Sequence, residues 1–263
     1  MIIFKTNSKL FKIIKKCACK SIKKSKSKEQ WERGIGYLED HYLFDLPIYR
    51  NLQIVYSLKK NIPRNSKVLD WGCGYGDISY LLKNKRPDLK IQLYDIFYSN
   101  PWKTLIKKAG LDKILSRDQK KIPFGENSFD AIIAAGVLEH VEDQECSLAE
   151  LYRILKPKGQ LFVYLYPNSF SYTEKFQKLI GNPYHNKALR MNELKSLLKK
   201  HGFEIKKEQY NFMLPLMLCR FPYPIRYIYN IFGNLILALN LILEKIPLVN
   251  RLSSNLSIVC YKE

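Results

Sequence analysis

The sequence lacks paired cysteines, an apolar run of membrane-spanning length, and acids at its N-terminus. Its six cysteines, Cys17, Cys19, Cys73, Cys146, Cys219 and Cys260, form no CxxC pair, and no histidine cluster stands by to complete a zinc site. That spacing excludes a zinc ribbon and a disulfide framework and reads as reduced thiols in a cytoplasmic protein. Residues 1–28 hold ten lysines and no acid, so half of the formal charge of +20 sits there and the remainder is only moderately basic. The longest apolar stretch, Tyr227 to Leu243, is seventeen uncharged residues interrupted by Asn230, Asn234 and Asn240, short of the roughly twenty that a spanning helix needs. A small-residue cleavage site is missing from the N-terminus, which does not read as a secretory signal. No internal repeat is visible, and the one low-complexity segment is the Lys/Ser run Lys20 to Lys28.

What is present is material for a full core: 263 residues, 46% apolar and 13% aromatic, enough for one large domain with an appendage. From Lys67 to Pro167 short apolar runs alternate with amphipathic ones, the pattern of βαβ units and a parallel sheet. Strands are expected at Lys67–Asp70, Ile91–Tyr94, Ile114–Ser116, Asp130–Ala134, Gln160–Tyr166, Phe203–Gln209 and Asn255–Tyr261. Helices are expected at about Asp77–Lys85, Pro101–Ala109, Gln144–Leu155 and Arg190–His201, with Lys156-Pro-Lys-Gly159 making a tight turn before the next strand. The chain divides into a basic amphipathic segment (1–28), a main domain (29–213), an apolar helical insertion (214–250) and a closing strand (251–263).

The chemistry concentrates in Asp70-Trp71-Gly72-Cys73-Gly74-Tyr75-Gly76, which follows a strand and opens a helix. Its glycines let the backbone pass close to a ligand facing helix N-terminal amides. The spacing is GxGxG rather than GxGxxG, and the acid before the first glycine repels a pyrophosphate but suits a cationic cofactor. Asp95 ends the next strand about twenty residues on, where a carboxylate accepts hydrogen bonds from both hydroxyls of a ribose.

These residues resemble the class I S-adenosylmethionine-dependent methyltransferases, a family that includes ubiquinone-pathway and small-molecule O-methyltransferases. Four blocks carry the resemblance: Val68–Ser79, Leu93–Phe97, Arg117–Asp143 and Leu151–Asn168. It implies a Rossmann-like, doubly wound α/β fold with a mainly parallel seven-stranded sheet, its last strand antiparallel, and helices on both faces. It implies S-adenosyl-L-methionine as cofactor, held by Asp70, Trp71, Gly72, Cys73, Gly74 and Gly76 with Asp95 and Ile96. Asp118 would meet the adenine amine and Gln119 the ring edge, and Gly136-Val-Leu-Glu-His-Val141 would line the methionine end and the acceptor mouth. No metal is assigned, because the Glu-x-x-Glu-His cluster that some quinone O-methyltransferases use is broken at Gly136.

Removing an acceptor proton needs a base, and His140 is the first candidate, beside Glu139, with His185 of Asn182-Pro-Tyr-His-Asn186 the second. Imidazoles equally serve as packed residues that shape a pocket. The expected activity is O-methylation of a small or lipid-linked acceptor, a glycan intermediate or quinone-like molecule. The alternatives are N-methylation of a metabolite and a non-catalytic, membrane-docked partner of another enzyme. If residues 2–24 are helical, a lysine stripe opposes an apolar face containing Ile3, Phe4, Leu10, Phe11, Ile14 and Cys17, suited to an anionic membrane surface at the inner face. The competing reading is a tail folded onto its own domain. The apolar insertion reads as a second membrane anchor, with a cover for the sheet edge or a homodimer seam as the competing reading. A nucleic-acid substrate has little support, since neither an Asn/Asp-Pro-Pro-aromatic segment nor a Pro-Cys nucleophile is present.

Overall fold

The computed structural model describes residues 12–17, 41–42, 44–96, 103–116, 121–179, 185, 187–218 and 221–263. Asp118, Gln119 and most of the basic N-terminal segment lie outside the described residues.

Seven strands form one sheet: β1 (Lys67–Trp71), β2 (Lys90–Asp95), β3 (Lys113–Leu115), β4 (Phe129–Ala135), β5 (Leu155–Pro167), β6 (Phe203–Asn211) and β7 (Asn255–Lys262). Their order is β3-β2-β1-β4-β5-β7-β6. The first five are parallel, and β7 runs antiparallel to both β5 and β6. Central strands covered on both faces need continuous apolar runs, and Ala131 to Ala134 in β4 and Leu161 to Val163 in β5 are buried throughout. The expected α/β architecture is present. Strand order reverses between β1 and β4, so a crevice opens at the carboxyl ends of those strands, the usual ligand position in such sheets.

Eight helices are described: α1 (Asp45–Asn61), α2 (Asp77–Lys85), α3 (Lys103–Lys108), α4 (Gln144–Ile154), α5 (Tyr172–Leu179), α6 (Met191–Lys200), α7 (Tyr223–Ile231) and α8 (Gly233–Leu243). One core layer joins α1 and α2 to one sheet face, and the other joins α4 and α6 to the opposite face. The α1 helix answers to no sequence expectation above, although Leu46, Tyr49, Leu52, Val55 and Leu58 repeat at helical spacing and are all buried. Its first turn carries Asp45 and its last Lys59 and Lys60, the signs that favour a helix dipole.

One local expectation is corrected. Lys156 to Gly159 is not a turn ahead of the strand but an irregularity inside β5, between Leu155, paired with Phe129, and Gln160, paired with Ala131. Lys158 takes a positive φ of 61° there, and Lys156 Nζ holds Asp130 at 2.7 Å. Strand pairing on both sides of the segment overrides the tendency of Pro and Gly to end pairing.

The apolar insertion is a bent pair, α7 and α8 meeting at 70°, and no single described helix is long and apolar enough to cross a membrane. Two of the asparagines that interrupt the apolar run, Asn230 and Asn240, tie it down. Asn240 is fully buried and exchanges two hydrogen bonds with the Leu214 backbone, at 2.8 and 3.0 Å. Asn230 Oδ1 accepts from Leu46 N on α1 at 3.4 Å. Residues 12–17 form a helical turn whose Ile14 and Cys17 are buried in the core with α1 and α2, while Lys15 pairs with Asp45 at 2.6 Å. For these six residues the competing reading of the tail describes the structure: the apolar side covers the domain itself.

Candidate active site

At the end of β1 the chain turns through Gly72, Gly74 and Gly76, all at positive φ. Gly72 and Cys73 donate their amides to Tyr94 O at 2.9 and 3.1 Å, binding the turn to β2. A Cβ on Gly72 would lie 2.2 Å from Val137 Cγ2, so only glycine lets the segment after β4 pack this close. A Cβ on Gly74 would meet nothing within 4 Å, which marks the open side of the turn, where a ligand fits.

Three carboxylates crowd this turn. Asp95, at the end of β2, accepts from Gly74 N at 2.6 Å, and Lys113 Nζ stands 3.7 Å from the same oxygen. Asp70 is buried and accepts from Ser79 Oγ at 2.6 Å, and burial together with the neighbouring Asp77 and Asp95 pushes its pKa up to about 7. Asp77, at the start of α2, is bonded to Asn51 of α1, and burial raises its pKa too. Such a set of buried acids favours a cation, which lowers the cost of ionising them. Trp71 and Cys73 are buried, Ile96 is half-buried, and burial holds the Cys73 thiol well above its ordinary value. The expected set from Asp70 to Gly76 is thus gathered with Asp95 and Ile96 around one turn. Asp77, the first residue of the helix that the turn opens, joins it, as do Asn51 and Lys113 from elements that the sequence does not connect to the turn.

Across the crevice, Gly136 ends β4 at φ 66° and donates its amide to Tyr164 O at 2.9 Å. The turn after it carries Glu139, buried, whose pKa burial pushes up to about 7 and whose Oε2 has no hydrogen-bond partner. His140 Nε2 lies 3.8 Å from Glu139 Oε1, with its side chain largely exposed. Partial desolvation, then the charge of His185, lower the His140 pKa. The His140 and His185 rings are 5.8 Å apart by centroid. His185 Nδ1 donates to Glu174 Oε1 of α5 at 2.8 Å. All three predicted proton-handling residues therefore sit together, with Glu174 behind them.

A separate cavity of about 890 Å³ lies between α1, β6 and α8, walled by apolar side chains including Leu52, Phe212, Leu237 and Leu241. Tyr164, whose carbonyl holds Gly136, also lines it and bonds Ser57 through its hydroxyl at 2.8 Å.

Residues 40–208 match the model of a methyltransferase domain. A demethylmenaquinone methyltransferase of Thermotoga maritima is 37% identical over 112 residues, covering 41% of this chain and 48% of that protein. A ubiquinone/menaquinone biosynthesis C-methyltransferase of Stenotrophomonas maltophilia is 27% identical over 196 residues, covering 62% and 75%. The chain spans about half the length of the first curated relatives it matches. Among solved structures, a possible histamine N-methyltransferase of Thermotoga maritima superposes with a TM-score of 0.61 at 19% identity, over 89% of this chain and 99% of that one. A didemethyltoxoflavin N1-methyltransferase of Burkholderia thailandensis, solved with S-adenosylhomocysteine, gives 0.56 at 17%, over 89% and 84%. With the glycine turn, the acid set and the sheet order in place, the chain belongs to the methyltransferase-domain family and is of the class I, S-adenosylmethionine-dependent kind.

Proposed function

We propose that the chain methylates the hydroxyl of a small or lipid-linked acceptor, a glycan intermediate or quinone-like molecule, at the cytoplasmic face of a membrane. The observation that carries this reading is the meeting of two groups at the carboxyl edge of the sheet: the acid-lined glycine turn and the Glu139–His140–His185 cluster. S-adenosylmethionine, when bound, supplies the electrophilic methyl group. Asp95 would accept the ribose hydroxyls, and the burial of Asp70 and Asp77 supports their facing the cationic end of the cofactor. His140, backed by Glu139, is the first group to take the acceptor's proton, and His185 the second. Ionising the hydroxyl raises its nucleophilicity, and holding it in line with the methyl lowers the entropic part of the barrier.

Support for a lipid-linked acceptor comes from the apolar cavity beside Tyr164. Support for the membrane face comes from the bent pair, where Ile225, Ile228, Ile231, Phe232, Leu235 and Ile242 are each about half or more exposed. Several relatives are named C-methyltransferases of quinones, which favours a second reading: the ionised hydroxyl activates a neighbouring ring carbon, and the methyl goes there. Carbon-13 methyl transfer followed by NMR of the product distinguishes them. An oxygen-bound methyl supports the first reading, a carbon-bound methyl the second, and a nitrogen-bound methyl overturns both.

A further inference from the structure

Glu139, His140 and His185 each bring one ligand atom to within 4.8 Å of the others. Donors around one tetrahedral ion with bonds of about 2.0 to 2.2 Å lie roughly 3.4 Å apart, so closing the set takes a side-chain movement of about an ångström. Two further observations point to an occupant. Glu139 is 6% exposed, and its Oε2 is buried with no hydrogen-bond partner, a costly state for a carboxylate that a cation relieves. Behind His185 the buried Glu174 holds Nδ1 at 2.8 Å, which fixes the ring and leaves Nε2 as its ligand atom, the carboxylate–histidine arrangement that supports metal ligands. The Glu-x-x-Glu-His pattern interrupted at Gly136 supplies only Glu139 and His140; His185, the third ligand, and Glu174 behind it come from beyond β5.

We propose that Glu139, His140 and His185, positioned by Glu174, form a divalent transition-metal site whose open coordination positions take an oxygen of the acceptor. Two imidazoles and one carboxylate suit zinc, cobalt, iron or manganese and disfavour calcium and magnesium, which prefer all-oxygen shells. Three protein ligands leave positions open, as in catalytic rather than structural sites. The exposed His140 puts those positions at the mouth of the crevice. The inference rests on the reading that the acceptor docks here and deepens it: the ion holds and acidifies the oxygen, and His140 acts as a ligand rather than a free base.

Cobalt(II) titration of the purified full chain, followed by visible absorption, tests the site without turnover. One cobalt per chain is expected, with the band abolished by His185→Ala and the dissociation constant raised about 10- to 100-fold by Glu174→Gln. Cofactor binding by calorimetry, retained in both variants, shows that they fold. Absence of a saturable band in the wild-type chain, or variants that bind cobalt as the wild type does, would overturn the proposal. A chain that binds cobalt at this site but methylates nothing keeps the metal site and removes the proposed function. One that shows no band and methylates at full rate after chelation removes the metal site alone.

Discussion

Asp95 accepts the Gly74 amide at 2.6 Å, so the residue proposed to face the ribose also fastens the glycine turn to the end of β2. Asp95→Ala removes both functions. It should weaken S-adenosylmethionine binding by about 1.5 to 3 kcal/mol, the scale of hydrogen bonds to a charged group, and lower stability by about 1 kcal/mol. Calorimetry of a folded variant with unchanged affinity would take Asp95 out of the cofactor site.

Cofactor affinity should rise with pH through neutrality. Asp70 keeps its proton to about pH 7 in the folded chain because of burial and the nearby Asp77 and Asp95, with Lys113 acting in the opposite sense. Unfolded, it ionises near the usual carboxylate value, so its contribution favours the folded state at low pH and is lost as pH rises from about 4 to 7. A cation at the site binds the ionised form, so binding releases a proton below pH 7. Asp70→Asn should flatten much of the pH dependence of affinity between pH 6 and 8 and raise the melting temperature of the cofactor-free chain at pH 8. An unaltered pH dependence in the variant contradicts this assignment.

His140→Ala should lower turnover about a hundredfold or more, whether the residue takes the acceptor's proton or holds the proposed ion, while leaving cofactor affinity intact because it lies across the crevice from the glycine turn. Retained turnover makes His140 a packing residue and moves the test to His185.

Gly72→Ala should be strongly destabilising, since the added Cβ falls 2.2 Å from Val137 at a φ of 66°. Overpacking of this kind costs about 1 to 3 kcal/mol, and trimming Val137 to Ala in the same chain should recover part of it. Denaturant unfolding measures both, and a neutral Gly72→Ala would show that the crevice is looser than described.

The chain should float with vesicles containing anionic lipid at low salt, lose part of that binding when residues 1–28 are deleted, and keep the rest in high salt. Apolar burial through the exposed face of α7 and α8 is insensitive to screening, whereas lysine attraction is not. A folded chain that stays with the soluble fraction leaves those helices as a self-association surface.

The sheet was legible because each buried strand is an apolar run bounded by turn residues, as in Asp130 to Ala134, and because the glycine turn sits where β1 meets α2. The α1 helix had equally clear spacing at Leu46, Tyr49, Leu52 and Val55, a readable signal that the strand-and-turn pattern overshadowed. The irregularity in β5 could not be read, since Pro157 and Gly159 look like a stop until Leu155 is seen paired with Phe129. Asn51 beside Asp77 and Glu174 behind His185 are tertiary contacts with no local signature, formed where separate elements converge on the crevice.

Transfer itself is the most direct test. The wild-type chain and Asp95→Ala, each incubated with methyl-tritiated S-adenosylmethionine and a cytoplasmic and membrane extract, are compared for label in extractable small molecules and lipids. Label is expected to pass to one such molecule in step with S-adenosylhomocysteine release, and to fall by at least about tenfold in the variant. A folded wild-type chain that binds the cofactor yet labels no small molecule or lipid would contradict this and leave a cofactor-binding protein without methyl transfer.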